Sequence, residues 1–122
     1  MRFTINALSA LRITRAIRSG NIRLSLNRRC ELAVADPSPQ KRWSRKAIAQ
    51  SVAHLGPAAG FSERHPLDIL TCDQLTRVQT KGVACTFRTG AYPPGSFVDL
   101  GGGIAMAGPE LLFVEMARIM DP

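Results

Sequence analysis

Long apolar runs and closely spaced cysteines are both missing from this sequence of 122 residues. No stretch approaches the roughly 18 uninterrupted apolar residues of a membrane-spanning helix, so the sequence predicts no membrane partner. The three cysteines, Cys30, Cys72 and Cys85, form no C-x-x-C pair, which argues against a zinc clip or a thioredoxin-like site. The first thirty residues also lack the continuous apolar core of a secretory signal. We therefore expect free thiols and a cytoplasmic location.

Residue patterns that carry catalysis or metal binding are lacking as well. The two histidines, His54 and His65, are not spaced as metal ligands with each other or with the cysteines. The acids of the second half are scattered, so they suggest no general acid–base pair. Gly101–Gly103 lacks the Lys-Ser/Thr end of a phosphate loop and is more typical of a hairpin turn. The sequence therefore predicts no enzymatic activity, no metal and no cofactor.

What the chain does contain is enough apolar sequence for one folded domain over residues 1–122, at 45% hydrophobic and 20% charged. Its net charge of +7 is concentrated in the first third: residues 1–46 hold eleven of the sixteen Lys+Arg and two of the nine Asp+Glu. Such asymmetry indicates an acidic partner, namely nucleic acid, an acidic protein or a membrane surface. A solvated basic face and, for residues 1–30, a mitochondrial transit peptide are the alternatives.

Two parts of the basic third are typical of nucleic-acid contacts. A predicted helix over 6–18, capped by Asn6 and ended by Gly20, carries arginines three residues apart on one side. The segment 41–46 places four cations around Trp43, a combination suited to phosphates and to a sugar or base. We expect such contacts from eight residues: Arg12, Arg15, Arg18, Lys41, Arg42, Trp43, Arg45 and Lys46.

The rest of the first half is predicted from periodicity and turn residues. Alternation over 22–26 and 30–34 favours a hairpin turned by 27–29, although a helix over 30–35 fits almost as well. Ser44 is predicted to cap a helix to Leu55, with Ile48, Val52 and Leu55 inward and Gly56 as its stop.

The second half, from residue 66 onward, is predicted to be rich in strands. Strands are expected at 67–71 and 83–88, and a hairpin joins 97–100 to 104–107 through the three glycines. Pro109 then opens a helix to Met120 that places Leu112, Phe113, Met116 and Met120 on one face. These elements predict an α+β fold: a small, mainly antiparallel sheet with about three packed helices.

The order of features after Pro66 resembles a protein family. The strand 83–87 fits a "v.Ch.w" pattern, residues 93–97 fit "lp.gsf", and 108–117 fit an "SPE..f.qmA" helix. The early run 9–12 fits the short "SAL..wR" helix that precedes them. Together they resemble actinobacterial proteins related to the AbiEi-like antitoxins of type IV toxin–antitoxin systems. The resemblance covers roughly 5–20 and 60–120; Gly108 stands in place of the usual Ser, and Thr86 stands where His is common.

This resemblance implies a bacterial, non-enzymatic antitoxin-like module of a toxin–antitoxin or phage-defence system, acting on DNA as an autoregulator or on a cognate toxin protein. Some members of the group continue into a very-short-patch-repair-type endonuclease domain, and 122 residues end where that domain would begin. An accessory N-terminal part of such a nuclease is therefore one alternative. A protein-interaction domain without a nucleic-acid role is the other.

Overall fold

A computed structural model describes residues 1–33, 44–72, 80–88 and 91–120. The described residues form three α-helices, one 3₁₀ segment and one six-stranded sheet. The helices are α1 Ala7–Arg18, α2 Arg45–Ser51 and α3 Pro109–Met120, with the 3₁₀ segment at Ala53–Ala59. The strands are β1 Phe3–Ile5, β2 Arg29–Cys30, β3 Leu67–Thr71, β4 Val83–Phe87, β5 Phe97–Gly101 and β6 Ile104–Ala107.

The strand order in this sheet is β2-β5-β6-β1-β3-β4. β1 runs parallel to β6 and antiparallel to β3, β3 runs parallel to β4, and β5 is antiparallel to both β2 and β6. The α+β prediction is confirmed, but the sheet is mixed rather than purely antiparallel. The unpredicted β1 is one source of the parallel pairing, because it lies between β6 and β3.

β1 escaped prediction because three residues cannot display a period of two. Phe3, Thr4 and Ile5 are all fully buried, since strands pair on both sides of β1 and both faces of the sheet are covered there. Phe3 and Ile5 belong to the larger core, which α1, α2 and the 3₁₀ segment complete. On the opposite face the Thr4 hydroxyl exchanges hydrogen bonds with the backbone of Ala33.

Several predicted elements of the second half are confirmed. β3 has its predicted bounds, and β5 and β6 form the expected hairpin around Gly101–Gly103, where all three glycines have positive φ. The helix after Gly108 begins at Pro109 as predicted. The four residues predicted to share one face do not share one environment: Leu112 is buried and Met116 half-buried, whereas Phe113 is 77% exposed, and the Met120 side chain lies outside the described part. One residue is 100° around a helix, so packing through Leu112 turns Phe113 to solvent.

The predicted hairpin over 22–26 and 30–34 is wrong within the described residues. Residues 19–28 form turns and irregular backbone, and only Arg29–Cys30 pair with β5. The Ile22 N–H bonds to the Ala16 carbonyl, so the chain folds back against the end of α1 instead of extending. Local alternation could not show this, because the burial of Ile22 depends on a neighbouring helix.

The helix predicted over 44–55 is shorter than expected. The Ser44 side chain accepts from the Ala47 N–H at 3.3 Å, which confirms the predicted cap. α2 ends at Ser51, and a 3₁₀ segment continues to Ala59 through Gly56, whose φ is +73°. Gly56 therefore breaks the helical path without stopping it, since the chain resumes a 3₁₀ turn beyond it. Ile48, Val52 and Leu55 are buried as predicted.

Two distant carboxylates bind the first turn of α1. Asn6 occupies the predicted N-cap position, but its side chain makes no capping bond; its Nδ2 donates to Glu115 Oε2 at 3.0 Å. The Ser9 N–H donates to Asp68 Oδ2 at 3.0 Å, and Ala7, at φ +52°, makes a long contact from its N–H to Glu115 Oε1. Carboxylates from β3 and α3 thus satisfy donors that a helix N-terminus leaves unpaired.

Glu115 should make stability depend on pH. Burial raises the pKa of its carboxyl above the ordinary 4.5, while the bonds from Asn6 and Ala7 act in the opposite direction. A carboxyl whose pKa is raised by folding stabilises the fold most below about 4.5, and this contribution is lost as pH rises through the folded-state pKa. Relative to Glu115→Gln, the native protein should therefore lose unfolding free energy as pH rises from acid to neutral.

Urea unfolding at a series of pH values measures this difference, and parallel pH curves for the two proteins would contradict it. Glu115→Ala is the companion variant. It leaves the buried Asn6 amide without its acceptor and should cost about 1–3 kcal/mol relative to Glu115→Gln.

The packing around Gly108 leaves no room for a side chain at this position. A Cβ there would lie 2.8 Å from the Ser96 carbonyl oxygen and 2.7 Å from the Arg29 Nη1. The serine usual in the resembling family would therefore displace backbone, because Gly108 N–H also bonds that same carbonyl at 2.8 Å.

We expect Gly108→Ser to lower the thermal midpoint, even though a serine N-cap alone contributes about 1 kcal/mol of stability. Differential scanning calorimetry measures the change. A higher midpoint would mean that the Ser96 backbone, just before β5, shifts to admit the serine side chain without a loss of stability.

Candidate nucleic-acid interface

A groove of about 320 Å³ lies between α1 and the turn that leads into β3. Arg12 and Arg15 line it from α1, one helical turn apart, and Arg64 and His65 line it from the turn. Leu8, Leu11, Pro66 and Asp68 complete its wall. Three guanidinium groups and an imidazole thus surround one concavity, which we call the arginine groove.

The turn that carries Arg64 is fixed by hydrogen bonds at both ends. The Ser62 N–H bonds to the His65 carbonyl at 3.0 Å, and the His65 N–H bonds to the Ser62 hydroxyl at 3.1 Å. A serine side chain that accepts from a nearby backbone N–H is a common way to close such a turn. Pro66 follows and favours an extended backbone at His65. Arg64 and His65 therefore lie just before β3, which begins at Leu67.

Arg12 is held in the groove by neutral acceptors only. Its Nη1 donates to the Gly60 carbonyl at 3.4 Å and its Nη2 to the Ser9 hydroxyl at 3.3 Å. Within the described ranges, neither Arg12, Arg15 nor Arg64 forms an ion pair. Among the described residues no carboxylate lies within ion-pair distance of these guanidinium groups, so an anion in this groove meets several donors.

Two acids lie close to this charge. Asp68 lines the groove, but its Oδ2 accepts from the Ser9 N–H at 3.0 Å and from the Ser9 hydroxyl at 3.1 Å. The Asp68 carboxylate is therefore already hydrogen-bonded to the first turn of α1. Glu63 is exposed on the turn, beside Arg64 in the sequence. The three arginines that line the groove still outnumber these two acids.

Other arginines of the basic third are neutralised. Arg28 pairs with Asp99 at 3.1 Å and Arg29 with Glu110 at 2.7 Å. The side-chain bond from Arg29 lowers the pKa of Glu110 and keeps it ionised. These pairs join β2 and the residue before it to β5 and α3, so two of the cations of the basic third are already paired within the fold.

A second concavity of about 410 Å³ lies between α2, the 3₁₀ segment and Phe61. We call it the Phe61 slot. The Arg45 guanidinium carbon lies 5.8 Å from the centroid of the Phe61 ring, and the walls are small side chains such as Ala49 and Ala53. Gly60 lines the slot, and its carbonyl accepts a hydrogen bond from Arg12 of the arginine groove at 3.4 Å, so this bond links the walls of the two concavities.

The structure therefore brings together three of the eight residues predicted to contact nucleic acid, namely Arg12, Arg15 and Arg45. Arg18 and Lys46 are exposed but line neither concavity. Lys41, Arg42 and Trp43 lie outside the described residues. Sequence reasoning missed Phe61, Arg64 and His65. The only local signal was a basic pair before Pro66, and nothing in the sequence indicated that it folds against α1.

Two nucleophilic side chains of the described residues, Ser9 and Cys30, are shielded or unactivated. Ser9 is 1% exposed and its hydroxyl contacts Asp68, Pro66 and Arg12, so no substrate can approach it. Burial raises the pKa of the Cys30 thiol, and the charges of Asp99 and Glu31 raise it further, which disfavours a reactive thiolate.

In the described ranges, no three His, Cys, Asp or Glu side chains are grouped so that they could hold a metal ion. None of the helices there is long and apolar enough to span a bilayer.

No protein-family model, curated protein or solved structure matches this chain. The resemblance to AbiEi-like antitoxins therefore rests on the residue patterns of 9–12, 83–87, 93–97 and 108–117 alone.

Proposed function

We propose that this chain is a non-enzymatic, antitoxin-like module of the bacterial cytoplasm that binds DNA through the arginine groove. The observation that carries the proposal is the absence of any described ion-pair partner for the three guanidinium groups that line it. Guanidinium groups bind phosphate oxygens in pairs of hydrogen bonds, so a row of them suits a phosphate backbone.

Phosphate binding should dominate this interaction. Each phosphate that a cation neutralises releases condensed counterions, so affinity falls as salt rises, with a slope of about −0.9 per contact on a log–log plot. Autoregulation of a promoter requires base contacts in addition, since phosphate contacts position a protein but do not specify a sequence.

The test compares two double variants that remove equal charge. Arg15→Gln with Arg64→Gln removes two exposed cations of the arginine groove, whereas Arg23→Gln with Lys81→Gln removes two exposed cations that do not line it. None of these four side chains makes a hydrogen bond or ion pair within the described ranges, so both variants should fold as the native chain does.

Fluorescence anisotropy with a labelled duplex across a salt series gives the affinity and its slope. The groove variant should lower the magnitude of the slope by roughly two, one unit for each lost phosphate contact, and the control should retain it. Equal effects of both variants would mean that only total charge matters. No binding at about 50 mM salt would refute the DNA proposal, since non-specific contacts should be detectable there.

A protein partner is the second candidate, in line with the cognate toxin expected for an antitoxin. A largely apolar groove of about 480 Å³ lies between α3 and the segment 93–96, with Val114 on its wall and Phe113 exposed beside it. Large apolar side chains exposed together on one helix mark interaction sites more often than isolated ones do.

Val114→Ser should then weaken binding to the product of an adjacent toxin-like gene by about tenfold, as expected for a central interface contact. Ile119→Ser is the control, because Ile119 is similarly exposed on α3 (53% against 46% for Val114) but does not line this groove. Isothermal titration calorimetry measures both, and equal affinities for the two variants would exclude this surface.

A further inference from the structure

The Phe61 slot and the arginine groove are neighbours, and their chemistry is complementary. The slot is apolar except for Arg45 at its mouth, whereas the groove is lined by guanidinium groups. Arg12 touches both, because it lines the groove and donates to the carbonyl of Gly60 in the slot wall. A ligand that spans them needs an apolar flat part joined to an anion.

We propose that the Phe61 slot takes one unpaired base of the DNA whose phosphates occupy the arginine groove. This inference rests on the proposed DNA-binding function and names the form of DNA that the site prefers. A nucleotide with its base on Phe61 presents its phosphate toward Arg12 and Arg15, because Arg12 of the groove donates to the Gly60 carbonyl in the slot wall.

The walls of the slot fit a flat ring. Phe61 is half-buried and packs against the larger core, so its ring is held while part of it stays accessible. The remaining walls include Ala49, Ala53 and Gly56, which have little or no side chain to obstruct a base. A Cβ added to Gly56 would meet nothing within 4 Å, so the space above it is open.

Arg45 adds a positive charge beside the Phe61 ring, where an anionic ligand can meet it. Its guanidinium lies 5.8 Å from the Phe61 centroid, near the outer limit of about 6 Å for a cation–π contact. The side chain is exposed and extends from the first turn of α2. A base can replace the guanidinium on the ring, and the guanidinium then reaches the phosphate of the same nucleotide.

Base stacking also explains why an aromatic residue is useful here. Every base has a flat face, so stacking tolerates any sequence, and it requires that the base be outside the duplex stack. Single strands and looped-out bases offer such a face at no further cost, whereas a perfect duplex must first unstack it. The site should therefore prefer unpaired nucleotides.

The experiment measures anisotropy with three labelled probes: a thymidine single strand, a perfect duplex, and that duplex with one looped-out thymidine. The native chain should bind the single strand and the looped-out duplex at least about fivefold more tightly than the perfect duplex, the smallest effect expected of one stacked base. Ala49→Leu fills the slot from an exposed position and should abolish this preference while leaving the salt slope unchanged.

Two pairs of variants make the result specific. Ala117→Leu adds the same side chain at an exposed position of α3 and should behave as the native chain does. Phe61→Leu removes the ring and should act as Ala49→Leu does, with Phe113→Leu as its control, since Phe113 is exposed away from the slot. Urea unfolding verifies that each variant folds. If Phe61→Leu does not fold, the result with Ala49→Leu tests the inference by itself.

Equal affinity for the three probes, or a preference that survives in Ala49→Leu, would overturn this inference and leave the proposed DNA-binding function standing. Absence of binding to every probe would overturn both.

Discussion

The fold depends on how the N-terminus of α1 is satisfied. β1 runs into α1 through Asn6 alone, and Ala7 takes a left-handed conformation to make the turn. The donors exposed by such an abrupt start are met by carboxylates from two other elements, Asp68 of β3 and Glu115 of α3. One junction therefore ties a central strand, a helix, the neighbouring strand and the last helix together.

The same junction positions the candidate interface. Asp68 binds both the N–H and the hydroxyl of Ser9, while the Asp68 N–H donates back to the Ser9 hydroxyl at 2.9 Å. This exchange holds α1 against the start of β3, immediately after the turn that carries Arg64. Arg12 and Arg15, one and two turns along α1, thereby face that turn across the groove. A contact that stabilises the helix also sets the spacing of the cations.

The cost of this junction is visible at Asn6. Its Oδ1 is buried and has no hydrogen-bond partner among the described residues. An unsatisfied buried carbonyl costs free energy, and the buried carboxyl of Glu115 adds a desolvation penalty that raises its pKa. Both are tolerated because the alternative is a helix end with several unpaired donors between two packed layers.

Sequence by itself determined those elements whose signals are local: the start of α1 at Asn6, the Ser44 cap, the strand 67–71, the glycine hairpin and the start of α3 at Pro109. Caps, turn residues and short-range periodicity act within a few residues, so they can be read without the fold. It also identified the cations Arg12, Arg15 and Arg45, because charge is a property of the residue. Tertiary structure alone decided that β1 is central, that Ile22 folds back on the end of α1 instead of joining a hairpin, and that Phe113 faces solvent. It also decided which cations are neutralised by Asp99 and Glu110 and which remain together beside Phe61 and Arg64, because pairing and burial are relations between residues far apart in the chain.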